Sequence, residues 1–96
     1  MRTRDHSVEH LKNELDSINA GLAMYETRLR RASADTQSRL QEDFDLLRSK
    51  RDGFARKIEA LRASDNLARD EQTSDAENTA TEFRRALERA RERMDH

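Results

Sequence analysis

The sequence predicts an all-α protein, in which a long antiparallel coiled-coil helical hairpin is followed by a weaker third helix in an elongated three-helix arrangement. The 96-residue chain is rich in Ala, Glu, Arg and Leu, with two Gly and no Pro, a composition typical of long helices. Apolar residues recur in steps of three and four over its first two thirds. Acidic residues give way to basic ones three times along the chain, as expected for three helices that complement their macrodipoles.

Helix 1 is predicted over about residues 5–32, where the apolar residues form a heptad seam. Alternating steps of three and four place all its members on one face of a helix. The seam residues are Val8, Leu11, Leu15, Ile18, Leu22, Tyr25 and Leu29. Because the positions beside the seam are polar, the apolar stripe is narrow. A narrow stripe favours a two-stranded contact over a three-helix core.

Helix 2 is predicted over about residues 37–63, after a turn at residues 33–36. Its seam residues are Leu40, Phe44, Leu47, Phe54, Ile58 and Leu61. The heptad phase slips by one residue between the two seams, and the slip coincides with Ser33, Asp35 and Thr36. These residue types cap the N-termini of helices. The pattern therefore predicts two helices joined by a turn.

Antiparallel pairing of the two seams locates the same turn independently. Seam residues of helix 1 should layer against those of helix 2, with Tyr25 opposite Phe44 and Leu11 opposite Ile58. All such pairs are symmetric about one point just before residue 35. The chain is therefore predicted to fold back there.

Arg51 occupies a seam position of helix 2, opposite Ile18. One hypothesis is that it sets the register or the choice of partner, as polar seam residues do. The other, which we prefer, is that its aliphatic stem packs on apolar surface while its guanidinium reaches water, with Glu14 or Asp52 nearby. In that case Arg51 is a structural residue.

Gly21 and Gly53 lie within the predicted helices, away from the seam. Each should destabilise its helix by about 1 kcal/mol relative to Ala. We expect both to lie on a solvated face; the alternative is a flexible point or a surface of close approach.

Helix 3 is predicted over about residues 67–95 and is the weakest of the three. Its first half is rich in Thr, Ser, Asp and Asn, which disfavour helix interiors, and two capping boxes allow a later start near residue 74. The linker before helix 3 is therefore predicted at residues 64–66, or at residues 64–74 if the helix starts late. The second half has a seam of Ala76, Ala80, Phe83, Leu87, Ala90 and Met94. We expect helix 3 to lie loosely along the hairpin or to reach another chain.

The string H-S-V-E-H at residues 6–10 matches the signature of the inverzincin metalloproteases. On a helix, His6 and His10 share a face and Glu14 lies one turn further, so these three are weak metal-ligand candidates. A single narrow seam offers no substrate cleft, and we expect a solvated first turn with no metal and no cofactor. The chain also lacks Cys, a Gly-rich phosphate loop and a G-x-S-x-G motif. We therefore expect a protein that is not an enzyme and has no small-molecule substrate.

The last part of helix 3 is basic and amphipathic. Its candidates for contact with an anionic surface are Arg84, Arg85, Arg89, Arg91 and Arg93. Interspersed acidic residues dilute this charge, the apolar face is small, and the net charge of the chain is −1. We expect neither a nucleic-acid nor a membrane partner. Peripheral binding to an anionic membrane or to nucleic acid through this helix is kept as the alternative function.

Three short stretches around helix 2 carry a family resemblance. They are A-S-A-D at residues 32–35, L-R-S-K-R-D at 47–52 and L-R-A-S at 61–64. Together they resemble a family of small bacterial coiled-coil proteins described as stress-responsive, whose molecular function is largely undefined. The resemblance covers helix 1 by pattern only and fades over residues 65–96, where members carry Trp and this chain has none. It implies a bacterial, intracellular helical protein.

The functional expectation is a non-enzymatic coiled-coil interaction or structural protein, which the resemblance further suggests is a stress-related adaptor. A hairpin of two helices buries little surface for its length, and self-association would remedy this. We therefore expect a protein partner or a homo-oligomer, with Met24, Tyr25 and Leu46 as candidates for the additional contact. No leading apolar stretch and no membrane-length run is found in the sequence, so we expect a cytoplasmic protein.

Overall fold

Three helices make up the part of the chain that the computed structural model describes, namely the backbone of residues 3–63 and 69–95 and the side chains of 8–63 and 70–94. They are α1 (Thr3–Arg31), α2 (Ala34–Ala63) and α3 (Arg69–Asp95). The molecule measures 51 × 18 × 16 Å, as expected for helices of about 40–45 Å laid side by side. The predicted all-α fold is confirmed.

The connection between α1 and α2 consists of residues 32 and 33, so it is shorter than the predicted turn at 33–36. Ser33 caps α2: its carbonyl oxygen accepts a hydrogen bond from the Gln37 amide at 2.8 Å, and its Oγ accepts one from the Thr36 amide at 3.4 Å. A capping side chain stands just outside the first helical turn. The capping residue types that follow Ser33 therefore belong to the helix and not to the loop.

The side chain of Gln37 closes the other end of this connection. Its Nε2 donates to the backbone carbonyl of Arg30 at 3.0 Å and to that of Ala32 at 3.1 Å. Carbonyls at a helix C-terminus lack partners within the helix. A side chain of α2 thus caps α1, which joins the two helices at the bend.

The seams of α1 and α2 face each other and form most of the core. The rings of Tyr25 and Phe44 stack with their centroids 6.1 Å apart and their planes within 2°. Val8 and Leu15 are only partly buried. The buried members of the two seams are Leu11, Ile18, Leu22, Tyr25, Leu29, Leu40, Phe44, Leu47, Phe54, Ile58 and Leu61.

Helix α3 packs along both helices of the hairpin, which differs from the loose or intermolecular placement expected from the sequence. It runs antiparallel to α2 and parallel to α1, since Arg93 reaches Asp43 of α2 and Arg84 reaches Glu14 of α1. Its buried residues are Ala76, Ala80, Phe83, Ala86, Leu87 and Ala90. The protein is therefore a three-helix bundle rather than a hairpin with an attached segment.

The close approach of α3 to the hairpin explains why a narrow apolar stripe is sufficient for a core of three helices. The α3 face is mostly alanine, so its backbone lies near the hairpin and only Phe83 inserts a large ring into the core. A Cβ added at Gly21 would lie 3.0 Å from Cδ2 of Leu87. The prediction of a solvated face is wrong for Gly21, where α3 passes closely over α1. At Gly53 the nearest atom to such a Cβ is 3.9 Å away, at the end of Arg56.

The polar first half of α3 is helical, and some of its side chains form hydrogen bonds and an ion pair with α2 and with the α3 backbone. Thr79 Oγ1 donates to the Asp75 carbonyl at 2.9 Å, and Lys57 Nζ of α2 lies 2.9 Å from both Thr79 Oγ1 and Asp75 Oδ2. α3 begins at Arg69, between the two starts weighed from the sequence. The predicted linker at residues 64–66 lies outside the described residues, whereas residues 69–74, which the alternative assigned to the linker, are helical.

Arg51 lies at the boundary of α1 and α2 with its guanidinium partly exposed. Its Nη1 donates to Asn19 Oδ1 at 2.8 Å and its Nε to Asp52 Oδ1 at 2.7 Å. Glu14, the other partner considered from the sequence, pairs instead with Arg84 of α3. Because 28% of the Arg51 side chain is exposed, its aliphatic part packs on the bundle while its guanidinium reaches water.

We expect Arg51→Leu to stabilise the protein. Leucine would continue the apolar seam, while Asn19 and Asp52 would remain accessible to water. The free energy of unfolding should rise by about 1 kcal/mol, which raises the Tm by roughly 4–8 °C in a domain of this size. Thermal unfolding followed by circular dichroism at fixed protein concentration measures this. The exposed Arg56→Leu is the control; an unchanged or lower Tm for Arg51→Leu would place Arg51 outside the seam.

Candidate functional site

Ion pairs join α3 to both neighbouring helices. Along the α2–α3 boundary, Arg93 Nε lies 2.9 Å from Asp43 Oδ2, and Lys57 of α2 pairs with Asp75 of α3. Between α1 and α3, Arg84 pairs with Glu14. Such exposed pairs contribute little stability individually, but they favour one register of α3 over others.

A groove runs between α1 and α3. We define the α1–α3 groove by Ser17, Gly21, Met24 and Arg28 of α1 with Leu87, Glu88 and Arg91 of α3. A hollow of about 240 Å³ lies around Ser17, Gly21 and Leu87, and a smaller one of about 50 Å³ lies beside Met24. The missing side chain at Gly21 leaves space between the helices, and Leu87 fills only part of it. The groove is thus an apolar surface depression with charged residues on its edges.

Met24 stands at the edge of this groove and is largely uncovered. Its exposed fraction is 63%, against 55% for Leu46, which lies on α2 away from the groove. Methionine side chains are flexible and polarisable and recur at surfaces that bind other proteins. An exposed Met beside an apolar hollow is therefore a candidate contact site.

Another hollow, of about 220 Å³, lies between α1 and α2. Polar side chains border it: the Arg48 guanidinium lies 5.7 Å from the centroid of the Phe44 ring, and Arg51 bonds to Asn19. Neither Met24 nor Leu46 lines this hollow. It is therefore the less favourable surface for an apolar contact.

Tyr25 is a core residue and is unavailable for the additional contact expected from the sequence. Its exposed fraction is 2%, because its ring is stacked on Phe44 inside the bundle. The hydroxyl is buried with no hydrogen-bond partner among the described residues. Burial raises the pKa of Tyr25, Asp43 raises it further, and Arg93 opposes both. Of the three predicted contact residues, only Met24 and Leu46 reach the surface.

The predicted metal candidates do not form a binding site among the residues described. His10 Nε2 lies 3.6 Å from Glu14 Oε2, but Glu14 also pairs with Arg84. The side chain of His6 lies outside the described residues. No group of three or more potential ligands occurs within the described part of the chain.

The five arginines proposed for an anionic surface are divided by the bundle. Arg84 and Arg93 form ion pairs with other helices, whereas Arg85, Arg89 and Arg91 are exposed. The apolar face of α3 is buried against the hairpin. An amphipathic helix binds a membrane through its apolar face, so α3 would have to leave the bundle to do so.

The groove could not be predicted from the sequence because its floor depends on two residues from different helices. Gly21 and Leu87 are 66 positions apart in the sequence, and only the docking of α3 brings them together. The available signal was Gly21 itself, a glycine within an otherwise favourable helix. Its alternative interpretation, a surface of close approach, is the one that the structure supports.

None of the described helices is apolar enough, over a sufficient length, to cross a membrane. Comparisons with family models, curated proteins and solved structures find no match to this chain. The resemblance to the stress-responsive coiled-coil family therefore stays a prediction.

Proposed function

We propose that the protein is a non-enzymatic helical interaction module, an adaptor or structural component that binds a protein partner or itself through the α1–α3 groove. The observation that carries the proposal is the exposed Met24, which lines the smaller apolar hollow of the groove between two parallel helices. A helix of a partner can lay its apolar side into such a groove, a common mode of peptide recognition. The proposed stress-related role and bacterial origin rest on the resemblance alone, and the cytoplasmic location is kept as the expectation from the sequence.

Binding to an anionic surface through α3 is the less favoured function. It requires the apolar face of α3, which is buried against the hairpin in this bundle, and two of its five arginines already pair with other helices. The remaining arginines are interspersed with exposed Glu88 and Glu92. We therefore expect no salt-sensitive binding of the protein to duplex DNA or to vesicles containing phosphatidylglycerol.

Site-specific photocrosslinking in the host cell tests the proposed function. A photoreactive benzoyl-phenylalanine replaces Met24 in one variant and Leu46 in a matched control, because both side chains are more than half exposed. We expect a discrete protein adduct from position 24 and little or none from position 46. No adduct at position 24, or equal adducts at both positions, would contradict the proposal. Salt-sensitive binding to vesicles or DNA would favour the alternative function.

A further inference from the structure

We infer that Met24 is a site of reversible oxidation, at which a peroxide converts the thioether to a sulfoxide and thereby weakens binding of a partner in the α1–α3 groove. The inference rests on the proposed function and adds its regulation. It is carried by the different environments of two methionines, Met24 and Met94, which line the same hollow.

Met24 is the accessible member of this pair. Its exposed fraction is 63%, so a small oxidant in water reaches its side chain without any movement of the helices. Met94 is partly buried and packs against the core. The chain contains no Cys, and therefore no thiol that would react with a peroxide before the thioethers do. Of these two sulfur atoms, that of Met24 should be oxidised first.

The reaction needs a peroxide as its co-reactant and nothing else. The sulfur of Met24 attacks one peroxide oxygen, so that the S–O bond forms while the O–O bond breaks. With hydrogen peroxide, the departing hydroxide takes up the proton of the transferred oxygen and leaves as water. The sulfur loses two electrons and the peroxide gains them. Methionine sulfoxide reductases reverse this step, so the modification is a switch rather than permanent damage.

Oxidation of Met24 changes the groove without opening the bundle. A sulfoxide replaces a flexible apolar side chain by a polar one. In the free protein its oxygen stays in water, because the side chain is exposed. An apolar side chain of a bound partner would remove that water, which is unfavourable for an unpaired polar group. Oxidation is therefore expected to weaken binding and to leave folding unchanged.

Oxidation of Met94 would have the opposite consequence. Its side chain packs against the buried residues of the bundle, so a sulfoxide there would place a polar oxygen against the core. That change would loosen the end of α3, since oxidised methionine disrupts apolar packing. The exposed Met24 is thus the position at which oxidation alters the surface and leaves the core intact.

NMR of the full chain with isotope-labelled methionine methyl groups tests the site. During treatment with hydrogen peroxide, we expect the Met24 signal to convert to that of the sulfoxide at least about ten times faster than the Met94 signal. The variants Met24→Leu and Met94→Leu assign the two signals. Circular dichroism should give the same Tm before and after conversion of Met24. If Met94 is oxidised as fast as Met24, or if Met24 reacts only in urea, the inference is wrong.

Photocrosslinking from position 17 tests the effect on binding. Ser17 is exposed and lines the larger hollow of the groove, so benzoyl-phenylalanine there leaves Met24 in place. The purified protein is oxidised, freed of peroxide and added to an extract of the host cell. We expect oxidation to lower the yield of the protein adduct at least about fivefold, and methionine sulfoxide reductase to restore it.

Two variants at position 24 serve as matched controls. Met24→Leu is apolar and has no sulfur, so its adduct from position 17 should form and should be insensitive to peroxide. Met24→Gln is polar like the sulfoxide, so its adduct should be low without peroxide.

Failure of this inference is distinguishable from failure of the proposed function. If the adduct from position 17 survives oxidation, or falls equally in Met24→Leu, the inference is wrong and the proposed function stands. If neither position 17 nor position 24 yields an adduct, the proposed function is wrong and the inference fails with it.

Discussion

Replacing Phe83 by alanine is expected to lower the free energy of unfolding by about 3–5 kcal/mol, the usual result of removing a buried aromatic ring. Phe83 is 0% exposed and is the one aromatic side chain that α3 contributes to the core. A bundle of this size has a total stability of only about 5–14 kcal/mol. The variant should therefore lose much of its stability, with a Tm lower by roughly 15–30 °C.

Urea unfolding of Phe83→Ala at low protein concentration measures this effect. Arg89→Ala is the control, because Arg89 lies on the exposed side of the same helix and should change stability by less than about 0.5 kcal/mol. If both variants unfolded at the same urea concentration as wild type, α3 would not be part of the cooperative core.

Replacing Ala80 by leucine should destabilise the bundle, although leucine is more hydrophobic than alanine. Ala80 is 2% exposed on the face of α3 that packs against the hairpin. The three additional carbon atoms of leucine at position 80 would push α3 away from the hairpin. Overpacking of this kind lowers the free energy of unfolding by about 1–3 kcal/mol. Alanine and leucine have similar helix propensities, so the change reports packing rather than helix formation.

The control for Ala80→Leu is Ala60→Leu, on the exposed face of α2. Urea unfolding should show a loss for Ala80→Leu and nearly no change for Ala60→Leu. A stabilised Ala80→Leu variant would mean that α3 contacts the hairpin loosely, as first expected from the sequence.

The hairpin was predictable because its signal is local and apolar. Large side chains recur every three or four residues in α1 and α2, and the stack of Tyr25 on Phe44 follows directly from pairing the two seams. The turn was located to within a few residues by capping chemistry. Its length was overestimated because Ser33 alone caps α2.

The docking of α3 was not predictable by the same means. Alanine and glycine contribute little to an apolar pattern, yet here they determine how closely the helices approach. The buried face of α3 is largely alanine, and the contact between Gly21 and Leu87 exists only after the bundle has formed. A count of large apolar residues therefore underestimated the core and suggested a two-stranded contact.

The candidate site was predictable only in part. Met24 was identified from the sequence as a contact candidate, whereas Tyr25, named beside it, is buried in the core. The charge gradient of each helix was also evident from the sequence. The parallel arrangement of α1 and α3, which the ion pair between Glu14 and Arg84 reflects, was not evident from the sequence.

Native-state hydrogen exchange tests most directly whether α3 is an intrinsic part of a three-helix bundle. In dilute solution, we expect the amides of Phe83 and Ala90 to exchange as slowly as those of Leu22 and Leu47, because all four become accessible only when the whole protein unfolds. If the α3 amides exchanged orders of magnitude faster, or became protected only at high protein concentration, α3 would not dock within its own chain. The α1–α3 groove would then not exist in the monomer.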